Sequence, residues 1–195
     1  MEEAIRNFPK QFEWEPKIEN ADKWKTPGKY ILCGMGGSHL AGNVFQNAYP
    51  GFDLSIYQDY GLPKWRDDVF EKALVIVSSY SGNTEEALSS FDEAIKNTYS
   101  VVAITTGGAL LSRAKQQGVP YIQIPDTGIQ PRSALGFMFK ALAKMVGRDD
   151  IVEEAAKVGA VLAQKAGIFQ EYGKALAGKL QGRVPVVYAS AKNYS

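Results

Sequence analysis

Ala73-Leu74-Val75-Ile76-Val77, followed at once by Ser78-Ser79-Tyr80-Ser81-Gly82-Asn83-Thr84-Glu85-Glu86, settles the class of this chain. The first five residues are apolar and rich in β-branched types, as a strand buried on both faces of a parallel sheet requires. The polar run behind them ends that strand and starts a helix. Four other runs share the texture: Tyr30-Ile31-Leu32-Cys33, Leu54-Ser55-Ile56-Tyr57, Val101-Val102-Ala103-Ile104 and Tyr121-Ile122-Gln123-Ile124. Each is short and bounded by Gly, Pro, Ser or Asp. Segments of helical character lie between them, over 39–48, 84–97, 108–117 and 131–146. Alternating strand and helix predicts parallel βαβ units, hence an α/β fold: a three-layer α/β/α domain on a five-stranded parallel sheet.

On either side of this domain, over 29–148, the texture changes. Residues 1–28 are polar, with apolar residues at Phe8, Phe12, Trp14, Ile18 and Trp24, and read as a helical or irregular arm packed on the domain. Residues 149–183 read as a linking helical segment, with Asp149 or Asp150 expected as its N-cap. Its glycines at 159, 167, 173 and 178 predict close packing or a break near Gly167. Val184-Pro185-Val186-Val187-Tyr188-Ala189-Ser190 reads as one more buried strand. Such a strand needs neighbours for its backbone and both faces. Residues 184–195 are therefore expected to open a second α/β unit that this chain does not complete.

Composition narrows the function classes. The 195 residues are 45% hydrophobic and 22% charged, as in a globular protein. Lys and Arg number 22 against 21 Asp and Glu, a net charge of +1. That balance exerts no global pull on nucleic acid or anionic membrane, so neither is an expected partner. No apolar run approaches the roughly 20 residues that span a bilayer. The single cysteine, Cys33, fits a reducing compartment, and the acidic N-terminus lacks the order of a signal peptide. The cytoplasm is the expected location.

Three motifs fall on the carboxyl ends of predicted parallel strands, where open α/β sheets bind ligands. Gly34-Met35-Gly36-Gly37-Ser38 follows the first strand, and its glycines let backbone N–H groups approach a ligand closely. A tight turn with no ligand is the plainer alternative. His39 replaces the last glycine of a G-x-G-x-x-G fingerprint, and no Gly-Lys-Ser/Thr of a P-loop follows. In the second motif the hydroxyls of Ser79, Ser81 and Thr84 gather where helix N–H groups are unpaired. That is a site for a phosphate dianion without Lys or Arg. Capping of the helix by Asn83 with Glu86 is the competing use of those residues. The third motif, Gln130-Pro131-Arg132-Ser133-Ala134, places Arg132 where a cation could stabilise an enediolate, or could simply lie on the surface. His39 reads as structural, and Glu85 and Glu86 as helix-start residues favoured by the dipole. No His, Cys and carboxylate cluster has metal-ligand spacing, and no cofactor is expected.

These three motifs in order, with Asp59-Tyr60-Gly61-Leu62-Pro63, resemble the bifunctional phosphoglucose/phosphomannose isomerase family, built on sugar isomerase (SIS) domains. The resemblance covers about residues 28–195. It implies interconversion of glucose 6-phosphate or mannose 6-phosphate with fructose 6-phosphate through an enediolate. It also implies phosphate binding by Gly37, Ser38, Ser79, Ser81 and Thr84, stabilisation of the enediolate by Arg132, and a homodimer in the full-length form. The family's glutamate base and ring-opening histidine have no match before Ser195. By this resemblance 184–195 would begin a second, truncated SIS domain, and the fragment alone would be inactive. Two other readings stand beside it: a non-catalytic SIS module that senses a phosphosugar, and a nucleotide-binding domain with Asp59 as a ribose-binding acid.

Overall fold

The computed structural model describes residues 1–188. Each apolar run forms a strand to within one residue at either end: β1 Tyr30–Cys33, β2 Leu54–Tyr57, β3 Leu74–Ser78, β4 Val101–Thr105 and β5 Tyr121–Gln123. All four pairings are parallel, in the order β2-β1-β3-β4-β5. The helices are α1 Glu2–Arg6, α2 Leu40–Ala48, α3 Asp67–Phe70, α4 Glu85–Lys96, α5 Gly108–Gln117, α6 Leu135–Met145 and α7 Asp149–Leu180.

Strand alternation divides the core in two. Tyr30, Leu32, Leu74, Ile76, Val102 and Ile104 face one layer, with Phe45 of α2 and Met138, Ala141 and Leu142 of α6. Ile31, Cys33, Val75, Val77, Val101 and Ala103 face the other, with Ala87, Phe91 and Ala94 of α4 and Leu110 and Ala114 of α5. The inner strands β1, β3 and β4 are buried at every position because both faces of the sheet are covered, and only Ser78 and Thr105 at their carboxyl ends are polar.

The N-terminal arm packs on the domain as expected, through specific bonds. Glu19 and Tyr121 form an antiparallel bridge, and Trp24 Nε1 donates to the Met145 carbonyl (2.9 Å). Lys140 of α6, fully buried, donates to the Phe12 carbonyl and to Glu15 Oε1, both at 2.8 Å. A buried ammonium needs such partners, because leaving it unpaired would cost several kcal/mol.

The C-terminal expectations need correction. Arg148, not Asp149 or Asp150, is the N-cap of α7; the two aspartates occupy its first turn, where carboxylates face the helix dipole. Arg148 also binds Asp150 through two hydrogen bonds, of 2.7 and 2.6 Å. α7 runs unbroken through Gly167 for 32 residues. A lone helical glycine costs only about 1 kcal/mol against alanine, too little to stop a helix of good formers. Gly159 does pack closely, against Pro9 and Phe12. Residues 184–188 are exposed and form no strand. No strand among the described residues lies beside them to complete a ladder, and 189 and 190 fall outside those residues. No helix among the described residues is long and apolar enough to cross a membrane.

Candidate functional site

The strand order reverses between β1 and β3: from β1 the chain moves outward to β2, then returns past β1 to β3. Loops leaving the carboxyl ends of strands diverge at such a point and leave a crevice between them. Here those loops are Gly34–Ser38 and Ser79–Thr84, and Ser38 ties them together. Its carbonyl accepts from Ser78 Oγ (3.0 Å), and its Oγ accepts from the Tyr80 N–H (3.0 Å). Ser38 is buried, and its hydroxyl proton remains available.

In the second loop, Ser79 is fully buried and its Oγ lies 2.9 Å from Thr84 Oγ1. Ser79 Oγ also accepts from the Gly82 N–H (3.1 Å). One hydroxyl of this pair donates to the other, so a single hydroxyl proton is left over. Thr84 is only half-buried and stands above Ser79, while Ser81 is exposed. Thr84 is also the N-cap of α4, but its side chain makes no capping bond. The N–H groups of Ser81, Thr84, Glu85 and Glu86 have no hydrogen-bond partner among the described residues. Four unpaired donors beside a helix N-terminus attract an anion.

The expected capping of α4 by Asn83 with Glu86 does not form. Asn83 Oδ1 instead accepts from the Ala109 N–H (3.0 Å), at the start of α5. The loop after β4, Thr105-Thr106-Gly107-Gly108, thus supports the phosphate-type loop from behind. Thr106 Oγ1 donates to the Tyr80 carbonyl (2.7 Å), and Leu110 N–H to the Gly82 carbonyl (2.8 Å). The sequence reading missed this loop. The signal was present: paired hydroxyls and paired glycines directly behind a buried strand on the same sheet edge.

Arg132 reaches this edge through the first loop. A short 3₁₀ turn, Pro131–Ser133, precedes α6. A methyl group on Gly37 would stand 2.7 Å from the Arg132 backbone nitrogen, so only glycine lets the two loops touch. The guanidinium of Arg132 is exposed and forms no hydrogen bond or ion pair among the described residues. The structure therefore gathers Gly37, Ser38, Ser79, Ser81, Thr84 and Arg132 on one edge. A cavity of about 590 Å³ adjoins it through Gln130 and Ser133, and its other walls include residues of the N-terminal arm (Lys10 and Gln11 among them), the 127–129 loop and Phe137 of α6.

The remaining candidates have structural partners. His39 Nδ1 lies 2.6 Å from Asn43 Oδ1, one turn along α2. Glu85 Oε2 accepts from Tyr60 OH (3.1 Å). That bond, before any other influence, holds the Tyr60 phenol above its ordinary pKa. Ser89 and Glu93, one and two turns further along α4, accept from the Gly61 and Leu62 N–H groups. The Asp59–Pro63 stretch is thereby fastened along one face of α4. Burial pushes the Cys33 thiol up to about 12. Among the described residues, no group of three or more His, Cys, Asp or Glu is placed to hold a metal.

A bifunctional phosphoglucose/phosphomannose isomerase of Aquifex aeolicus is 36% identical over 96% of this chain and 57% of its own length. One from Caldicellulosiruptor bescii is 36% identical over 96% of the chain and 60% of its own. This chain is a homologue of the bifunctional phosphoglucose/phosphomannose isomerases. It spans less than two thirds of those relatives. No protein-family model matches the chain. Among solved structures, tagatose-6-phosphate ketose/aldose isomerase from Escherichia coli superposes with a TM-score of 0.55. It is 18% identical, over 84% of this chain and 53% of its own, a likeness of fold.

Proposed function

We propose that this edge binds the phosphate of a hexose 6-phosphate. We further propose that the protein is an aldose–ketose isomerase interconverting glucose 6-phosphate, mannose 6-phosphate or both with fructose 6-phosphate. The observation that carries the proposal is the pairing of a neutral donor cradle with an unpaired arginine across the Gly37–Arg132 contact. The names of the 36%-identical relatives support it. Thr84, backed by Ser79, and Ser81, Ser38 and the free N–H groups would hold the phosphate. Anchoring one end of the sugar positions the reacting carbons instead of merely collecting them. A carboxylate base would take the proton from C2 of the aldose and return it to C1, and Arg132 would stabilise the enediolate between these steps. Glu85 is engaged by Tyr60 and is not assigned as that base.

A homodimer in the cytoplasm is part of the same proposal. The apolar side chains Val161, Ile168, Phe169, Tyr172 and Leu176 along α7 are uncovered in the monomer and support association. Sedimentation of the protein tests it.

Two measurements test the activity. Fructose 6-phosphate should bind and fructose should not, by titration calorimetry. The protein expressed from its full reading frame should convert fructose 6-phosphate to an aldose 6-phosphate in a coupled assay, with turnover lost in Arg132→Ala. Binding without turnover would select a phosphosugar sensor, and equal affinity for both sugars would remove the phosphate site.

A further inference from the structure

We infer that Gln11, in the N-terminal arm, is a positioning residue that sets where the Arg132 guanidinium stands. The inference rests on the proposed role of Arg132. Arg132 makes no side-chain bond of its own among the described residues, so its place is fixed by its backbone turn alone. That turn is held from two sides. Gly37 abuts its amide nitrogen on one side. On the other stands Gln11, only 3% exposed although it lies more than 120 positions away in sequence.

One side-chain amide does two things here. Its Nε2 donates to the Ser133 carbonyl at 2.6 Å, fixing the residue after Arg132. Its Oε1 accepts from the N–H groups of Gly136 (3.0 Å) and Phe137 (3.4 Å), capping the start of α6. A methyl group on Gly136 would stand 2.9 Å from Gln11 Cβ, so the approach is close enough to require glycine. Lys140, through Phe12 and Glu15, clamps the arm immediately behind Gln11. A donor and an acceptor are needed at the tip of a single side chain. Only the carboxamides of Gln and Asn present an N–H donor and a carbonyl acceptor on two separate atoms of one uncharged, flexible side-chain tip, and Asn is one methylene shorter.

Gln11→Glu separates these two uses. The carboxylate still accepts from the α6 N–H groups, where the helix dipole favours it, but cannot donate to Ser133. The readout is an affinity ratio for two probes sharing a five-carbon phosphate chain: arabinonate 5-phosphate, which carries a carboxylate where an enediolate would form, and arabinitol 5-phosphate, which carries an alcohol. Both are titrated against the full chain by ³¹P NMR.

Arg132→Ala should lower the ratio about 10- to 100-fold, the range for losing a hydrogen bond to a charged group. Gln11→Glu should lower it about 3- to 10-fold, the range for one neutral hydrogen bond. Arabinitol phosphate affinity should stay at its wild-type value, while the melting temperature falls, because the buried carboxylate faces the Ser133 carbonyl without a proton to donate. The double variant should fall no further than Arg132→Ala, because Gln11 acts through Arg132. If Gln11→Glu keeps the wild-type ratio while Arg132→Ala loses it, Gln11 is only structural and the inference is overturned. If Arg132→Ala keeps the ratio, the assigned role of Arg132 fails and the inference falls with it. Gln11→Ala removes both bonds, and Gln11→Glu decides the matter should that variant not fold.

Discussion

Replacing Gly82 with alanine attacks the joint between the loops that follow β3 and β4. Gly82 sits at φ +71°, a left-handed conformation that costs a residue with a Cβ about 1–2 kcal/mol. The new methyl would overlap the Gly107 carbonyl and stand 2.8 Å from Thr105 Oγ1. Backbone cannot rotate away as a flexible side chain can, so overpacking adds about 1–3 kcal/mol. The sum, about 2–5 kcal/mol, corresponds to a fall of roughly 4–20 °C in melting temperature for a chain of this size. Because Gly82 N–H bonds to Ser79 and Leu110 N–H bonds to the Gly82 carbonyl, the Ser79–Thr84 pair should be displaced and sugar-phosphate affinity lost. Thermal denaturation by circular dichroism, followed by titration with fructose 6-phosphate, measures both. A fall below about 2 °C with affinity intact would show that the two loops do not pack in this way.

Other predictions follow from the same edge. Ser79→Ala with Thr84→Ala should weaken fructose 6-phosphate binding and leave any fructose binding unchanged. Lost bonds to a charged group cost about 1.5–3 kcal/mol each, and calorimetry reads the difference. Since the loops hold hydroxyls and N–H groups and only one arginine, affinity should fall modestly between low and physiological ionic strength; a steep decline would point to lysines elsewhere. Cys33, raised from its ordinary value to about 12 by burial, favours the folded state only while protonated. Its contribution is complete below about pH 9, where the unfolded thiol begins to ionise, and is lost as pH rises toward 12. In the same region of pH 8–9, iodoacetamide should modify the denatured chain and spare the native one.

The sheet was legible because inner strands covered on both faces leave an uninterrupted apolar signature, and all five runs became strands. The site loops were legible for a related reason: Ser, Thr and Gly directly behind such strands land on one sheet edge. Contacts between distant segments were not legible. Nothing local in Asn83 shows that it will serve α5 in preference to its own helix. Nothing near Gln11 reveals Ser133 as its partner, since that pairing exists only once the arm has docked. The expected break at Gly167 failed because propensity is a weak local preference that good neighbouring residues override. Over 184–188 the expected strand is not formed, and no described strand lies alongside to pair with it; residues 189 and 190 of that run lie outside the described residues.

A ¹H–¹⁵N correlation spectrum recorded while fructose 6-phosphate is added tests the location of the site most directly. The largest shifts should fall on the Ser81, Thr84, Glu85 and Glu86 amides, with smaller ones at Gly36–Ser38 and Arg132. The opposite end of the sheet offers a rival, a cavity of about 440 Å³ lined by Lys23, Lys25, Tyr99, Ser100 and Gln117. Shifts gathered there, with the Ser81–Glu86 amides unmoved, would contradict the assignment of the phosphate to the switch-point loops.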